Sequence, residues 1–151
     1  NSEFLDSMQI SVKYLDSLYM DENQYFISIF VDNILQKYDK PSEVYISTLE
    51  PNPYENWIDY NLILIYEELS TSILYSGKGV VHQNETIEIC PEHTSTNFVL
   101  LTIGEKFWKL TNDYPETIRE NWISIENATN FNIEEFSKEM TNGTGCFLIS
   151  P

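Results

Sequence analysis

The fold is decided by the stretch Ile58–Gly77, whose sequence is IDYNLILIYEELSTSILYSG. It contains two segments rich in Ile, Leu and Tyr, Ile58–Glu67 and Thr71–Gly77, which have the length and composition of β-strands. A connection of only a few residues separates them, and so short a connection joins antiparallel neighbours. The stretch therefore predicts an antiparallel strand pair.

Segments with period-two hydrophobicity continue on both sides of this pair. Turn residues lie between several of them, and they include Gly77-Lys78-Gly79, which we interpret as a turn. Spacing on the scale of hairpins predicts a mostly antiparallel sheet arranged as a β-meander. The further predicted strands are Gln9–Leu15, Val44–Leu49, Val80–Gln83, Thr86–Cys90, Asn97–Ile103, a short Lys106–Leu110 and a final Gly145–Ile149.

Two helices are predicted, one before and one after the main run of strands. The first begins at Asp21 as N-cap and ends before Pro41, with apolar residues at helical spacing up to Tyr38. The second begins with Ser124 as N-cap and stops at Asn142-Gly143. The prediction is one α+β domain over residues 8–151, with two helices packed on one face of the sheet. Asn1–Ser7 precedes the first methionine and is interpreted as an artificial leader.

The charge of the chain limits its partners. With 24 acidic residues against 8 Lys and Arg, the formal net charge is −16 on 151 residues. Such a surface repels nucleic acid and anionic lipid and attracts basic proteins. The chain has no apolar run near the ~18 residues that a membrane span needs. We therefore expect a basic protein as partner, with neither nucleic acid nor a membrane.

The sequence offers only weakly supported candidates for a catalytic site or a metal site. Cys90 and His93 could form a nucleophile–base pair, but residues three apart at a strand end rarely meet in that geometry, and no third group orients them. Zinc ligation by His82, Cys90, His93 and Cys146 is arithmetically possible, although the spacing matches no paired-ligand pattern. Adjacent acids are more simply a solvated surface in so acidic a chain. We predict no catalytic residues, no metal and no cofactor.

The two cysteines and the glycosylation sequons leave the compartment open. Cys90 and Cys146 are compatible with one disulfide or with two free thiols. Sequons at Asn84, Asn127 and Asn142 are about as many as chance produces in a chain this rich in Asn and Thr.

One segment combines aromatic and acidic side chains in the way that a site for a basic protein requires. Aromatic anchors desolvate the centre of such a site, while carboxylates steer and pair with Arg or Lys. The alternative interpretation is that Trp57 belongs to the hydrophobic core. The predicted partner-binding residues are Tyr54, Glu55, Trp57, Asp59 and Tyr60, together with the acids Glu67 and Glu68.

The last third of the chain resembles the small immunity proteins that accompany bacterial polymorphic toxins, including those of contact-dependent growth inhibition. The resemblance is carried by a helix start at Ile123–Glu126, a Glu-Phe pair in Glu135–Ser137, a turn at Thr141–Thr144 and a last strand at Cys146–Ile149. The Pro that commonly closes this turn in the family, and the Trp that commonly closes the strand, do not occur here. The resemblance implies a cytoplasmic inhibitor that occludes the active site of a cognate basic toxin, a nuclease or deaminase.

Two other hypotheses stay open beside this one. The chain could be a secreted or viral β-rich binding protein that sequesters a basic host ligand such as a chemokine, with Cys90 and Cys146 in a disulfide. It could also be a small enzyme that uses Cys90 and His93. The state of the thiols separates the immunity protein from the secreted or viral binding protein, because cytoplasmic proteins keep their thiols reduced.

Overall fold

The structure, a computed structural model, describes residues 8–13, 31–49, 54–91, 96–103 and 121–150. Eight strands, three helices and one 3-10 turn follow one another in this part of the chain. In chain order they are β1 (Met8–Lys13), α1 (Val31–Tyr38), β2 (Glu43–Thr48), β3 (Trp57–Tyr66), the 3-10 turn (Glu67–Leu69), β4 (Thr71–Val81), β5 (Ile87–Ile89), β6 (Thr96–Ile103), β7 (Ile123–Ser124), α2 (Ile125–Ala128), α3 (Ile133–Asn142) and β8 (Phe147–Ile149).

The strands form one antiparallel sheet with the order β1-β6-β4-β3-β2-β7. At its centre β3 and β4 pair along their length, from Trp57 opposite Val80 to Tyr66 opposite Thr71. Beyond Gly77, which faces the first residue of β6, β4 pairs instead with β5, which in turn pairs with β8. The hairpin predicted from Ile58–Gly77 is therefore confirmed, and the structure places it in the middle of the sheet.

One face of the sheet carries the main hydrophobic core. Alternate residues of β3, among them Tyr60, Leu62 and Leu64, are almost completely buried on this face. The helices cover it with apolar side chains because their hydrophobic residues recur at helical spacing. From α1 and α3 these side chains are Val31, Ile34, Leu35, Phe136 and Met140. The predicted α+β architecture, with helices on one face of an antiparallel sheet, is confirmed.

The opposite face of the sheet, called the outer face below, is divided along β3. Ile63 and Ile65 are buried there, next to Tyr45, Leu74 and Trp122. Nearer the start of the same strand, Trp57, Asp59 and Asn61 occupy the equivalent positions and are partly exposed. The start of β3 therefore presents a mixed polar and aromatic surface.

The predicted turn at Gly77-Lys78-Gly79 is wrong, because β4 continues through it from Thr71 to Val81. Pairing with β6 shifts register between Ser76 and Gly77. At Gly79 a Cβ atom would lie 2.9 Å from Cγ2 of Ile87 and 3.0 Å from the carbonyl oxygen of Glu88. Glycine is needed here because β5 approaches closely, rather than because the chain reverses.

The predicted second helix is wrong in its continuity, because it is two helices. Ser124 caps α2, accepting a hydrogen bond from the Asn127 amide at 3.3 Å. Thr129 then leaves the helical conformation, and its hydroxyl donates to the carbonyl of Ile125 at 2.7 Å. Asn132 and Glu135 form a capping box that starts α3. Two strong N-caps within one apolar pattern start two helices.

Several sequence predictions lie outside the described residues. They are the leader Asn1–Ser7, the helix start at Asp21, the strand Lys106–Leu110 and His93. Within the described part of the chain, no helix has the length and apolar character needed to cross a membrane.

Candidate functional site

A disulfide joins Cys90 to Cys146. The last paired residues of β5 and β8 are Ile89 and Phe147, so the two cysteines occupy the next facing position of the same antiparallel pair. Their sulfur atoms are 2.03 Å apart and the bond links residues 56 positions apart in the chain. Of the two states that the sequence allows, the structure contains the bridge.

The disulfide removes the thiol chemistry considered for these cysteines. A bonded sulfur is neither a nucleophilic thiolate nor a thiolate ligand for zinc. The Glu88 carboxylate and the two sulfur atoms lie within 4.8 Å of one another, but both sulfurs are used in the bond. In this state neither a Cys90–His93 nucleophile nor a zinc site at Cys90 and Cys146 can form.

A second group of residues lies on the outer face where β3 begins. Asp59 faces Lys78 directly across the β3–β4 pair. The Lys78 Nζ atom lies 3.2 Å from the centroid of the Trp57 ring, which is a cation–π contact. Trp57 is half-buried, so part of its side chain is exposed. The Trp57 ring is thus already in contact with a cation, and Asp59 occupies the position directly across the strand pair from that lysine.

Exposed apolar side chains lie near this group, in the chain or across the strand pairs. Tyr54 is 93% exposed, Leu49 57% and Val80 45%. Val80 faces Trp57 across the strand pair, and the Leu49 amide donates to the Asp59 carbonyl at 3.0 Å. We call the whole surface the Trp57 patch. It consists of Leu49, Tyr54, Glu55, Trp57, Asp59, Lys78 and Val80.

The structure brings together only part of the predicted partner-binding set. Trp57 and Asp59 share the outer face of β3, and the exposed Tyr54 and Glu55 precede them in the chain. Tyr60 is 1% exposed and lies in the main core, because strand residues alternate between the two faces of a sheet. A buried core tyrosine is not available to a partner.

Glu67 and Glu68 are exposed but lie in the 3-10 turn after β3. That turn begins ten positions after Trp57, at the other end of β3, which corresponds to about 30 Å. The seven predicted residues therefore do not form one contact surface.

Three residues of the patch were missed from the sequence. The sequence predicts a turn at Lys78. It predicts strands at Leu49 and Val80 but does not include them in the binding site. Asp59 and Lys78 are far apart in sequence, so it cannot be predicted that they face each other until the β3–β4 register is known. The one available hint was the lysine between two glycines, in a chain where cations are rare.

Carboxylates also dominate the far end of β3. The Tyr66 hydroxyl donates to the Asp39 carbonyl at 3.1 Å, and burial, followed by the charge of Asp39, raises the pKa of Tyr66 well above its usual range. On β2, a hydrogen bond to Glu43, together with burial and the charge of Glu43, raises the pKa of Tyr45 to about 12. Both tyrosines stay protonated at neutral pH and act as hydrogen-bond donors.

A shallow cleft of about 350 Å³ lies between α1 and α3. Lys40 pairs loosely with Glu134 across it, with 4.0 Å between Nζ and Oε2. Lys138 and Asp39 also line the cleft. Since both signs of charge are present and partly paired, the cleft carries no clear preference for a charged ligand.

Comparison with known proteins adds no assignment. No protein-family model, curated protein or solved structure matches the chain. The chain's charge, its disulfide and the geometry of the Trp57 patch are the features that bear on its function.

Proposed function

We propose that this chain binds a basic protein, with the Trp57 patch at the centre of the contact. The observation that supports this most is the net charge of −16 around a patch that already holds a cation on its ring. Among the described residues, only Glu134 lies within ion-pair distance of a lysine or arginine, and Glu88 lies 3.1 Å from a ring nitrogen of His82. The charges of the other carboxylates in that part of the chain are not neutralised by an ion pair, so they contribute to a negative surface potential that attracts a basic partner.

The patch has the parts that such an interface requires. Tyr54, Leu49 and Val80 supply exposed apolar area, and aromatic side chains are enriched at binding hot spots. Trp57 and Asp59 together offer a ring face and a carboxylate to an incoming Arg or Lys. Lys78 occupies that place in the free protein, and its long, exposed side chain can move aside when a partner's cation arrives.

The disulfide directs the proposal towards an oxidising compartment. Disulfides persist in secreted and extracellular proteins and are rare in the cytosol. A bond between Cys90 and Cys146 therefore favours sequestration of a basic ligand outside the cell, of which a chemokine is an example, over the cytoplasmic location expected from the sequence.

An immunity protein is the second candidate. The order of elements supports it, because a Ser124-capped helix, a helix containing Glu135-Phe136, a turn and the final strand β8 follow one another as in the family that the chain resembles. In this version the partner is a cognate basic toxin, a nuclease or deaminase, whose active site the chain occludes in the cytoplasm.

Binding kinetics test the proposal common to both candidates. Immobilised chain is probed with a panel of basic chemokines and with basic nuclease and deaminase toxin domains, at low and physiological salt. Charge reversal at the patch, Glu55→Lys or Asp59→Lys, should slow association at low salt, because steering acts on the on-rate. Trp57→Ala should act mainly on dissociation and cost at least ~2 kcal/mol, about a 30-fold loss of affinity.

Glu126→Lys is the matched control, since Glu126 is exposed on α2 and lies outside the patch. It makes the same change in net charge and should slow association less than reversal at Asp59. A Glu67→Lys, Glu68→Lys double variant tests the far end of β3 separately. If folded patch variants bind with the kinetics of the Glu126 control, the contact surface is not the Trp57 patch.

Thiol titration of the denatured, unreduced protein, isolated from its native source, separates the two candidates. Absence of free thiols supports extracellular sequestration, whereas two free thiols support the cytoplasmic immunity protein.

A further inference from the structure

The tip of the β4–β5 hairpin carries the sequence Asn84-Glu85-Thr86. The Glu85 amide donates to the His82 carbonyl at 3.0 Å, and the His82 amide donates to the Thr86 carbonyl at 2.9 Å. Glu85 adopts a left-handed conformation with φ of 66°. Asn84 is therefore held, exposed, at the end of a tight and well-defined turn.

The Thr86 hydroxyl is bonded to the side chain of the asparagine in its own sequon. Its Oγ1 donates to Oδ1 of Asn84 at 2.8 Å. N-linked glycosylation requires an Asn followed two residues later by a hydroxyl amino acid, and the glycan attaches to the amide nitrogen. The turn therefore brings together the two side chains that define the acceptor, and the hydrogen bond uses the amide oxygen rather than the nitrogen.

The other two sequons are arranged differently, although Asn127 and Asn142 are also exposed. Thr129, the hydroxyl residue of the Asn127 sequon, follows α2 and donates to the Ile125 carbonyl at 2.7 Å. Thr144, that of the Asn142 sequon, donates to Glu139 at 2.9 Å. The Asn142 amide nitrogen itself donates to the Thr141 hydroxyl at 2.9 Å.

We propose that Asn84 is an N-glycosylation site, an inference that rests on the extracellular version of the proposed function. The donor is an oligosaccharide linked to a lipid diphosphate in the secretory pathway. A bond forms between Nδ2 of Asn84 and C1 of the first sugar, while the bond from C1 to the diphosphate oxygen breaks. Nδ2 loses one proton to a base of the transferase, and the lipid diphosphate leaves with the electron pair of the broken bond.

A glycan at this position would stand at the border of the Trp57 patch. The Val81 amide donates to the Asn56 carbonyl at 2.9 Å, next to Trp57. Asn84 is three residues beyond Val81, and three residues span at most about 10 Å. The hairpin points beyond the start of β3, so the glycan would cover the tip and leave Lys78 and Asp59 on the sheet face.

The test is expression of the chain behind a secretory signal in mammalian cells, with peptide mapping of all translocated protein. Peptide N-glycosidase converts a glycosylated Asn to Asp, so digestion in ¹⁸O water labels each occupied site. Label is expected at Asn84, and Asn84→Gln should remove one glycan from the intact mass. Thr86→Ser keeps the hydroxyl and should keep the glycan, whereas Thr86→Val should lose it.

Asn127→Gln and Asn142→Gln are matched controls that should leave the Asn84 glycan in place. Translocated chain with no label at Asn84 would overturn the inference, whether or not the other sequons are occupied. Ligand binding by glycosidase-treated protein is measured separately. A chain that binds its basic ligand without an Asn84 glycan refutes only this site, and a glycosylated chain without such binding refutes only the proposed function.

Discussion

Removal of the Cys90–Cys146 bridge should destabilise the oxidised protein by up to about 4 kcal/mol. The cysteines are separated by 56 residues, and the loss of loop-closure entropy in the unfolded chain is worth about 4 kcal/mol for a loop of that size. In the folded state the bridge adjoins a short strand pair, because β5 and β8 pair over only three positions. Loss of the bridge should therefore loosen β8 before the rest of the sheet.

The assay is urea unfolding of the oxidised wild type and of the Cys90→Ala, Cys146→Ala double variant, followed by Trp fluorescence and far-UV circular dichroism. Reductant should lower the midpoint of the wild type and leave the double variant unchanged. Amide exchange should rise first in β8, where Phe147 contacts Phe136 with ring centroids 5.6 Å apart. Equal midpoints for oxidised wild type and double variant would refute the stabilising role.

Three further changes test the core, a helix start and a charged contact. Leu35→Ala, in the core face of α1, should cost about 2–4 kcal/mol, whereas the exposed neighbour Gln36→Ala should stay within about 0.5 kcal/mol; equal denaturant midpoints would contradict the helix packing. Asn132→Ala should cost about 1 kcal/mol through loss of the α3 capping box, measured by thermal unfolding, and an unchanged Tm would count against that cap. Hydrogen bonds from Thr144 lower the pKa of Glu139 from its ordinary value of 4.5, so this carboxylate stabilises the fold above that value and the effect is lost as pH falls through the lower, folded-state pKa. Glu139→Gln should show a smaller acid-induced drop in the unfolding midpoint, and parallel pH curves would contradict this.

The strands and the class of fold could be predicted because they depend on local patterns. Alternation and β-branched residues identify β3 without knowledge of its neighbours. The two errors in the predicted secondary structure, the turn at Gly77-Lys78-Gly79 and the single second helix, both concern residues that are compatible with more than one local structure. Gly79 looks like a turn residue but serves a close approach of β5, and Asn132 looks like an interior helix position but caps α3.

The candidate site was predictable only along a single strand. Trp57 and Asp59 are two residues apart, so they share a face of any strand that contains them, and the same alternation places Tyr60 in the core. Contacts between strands require the register, which is set by the whole sheet. This is why Lys78 was missed and why Glu67 and Glu68 were grouped with residues about 30 Å away.

The tethered lysine limits which partners the Trp57 patch would accept. Lys78 is held directly opposite Asp59, and a short tether gives a group a local concentration in the millimolar range. A single lysine from solution therefore competes poorly for the Trp57 ring. The exposed cation–π contact is worth only about 0.5–1 kcal/mol, so a partner that brings an arginine and several other contacts displaces Lys78 at small cost. Because arginine stacks on a ring and pairs with a carboxylate at once, the proposal predicts a partner with a folded basic surface centred on an arginine rather than an isolated basic side chain.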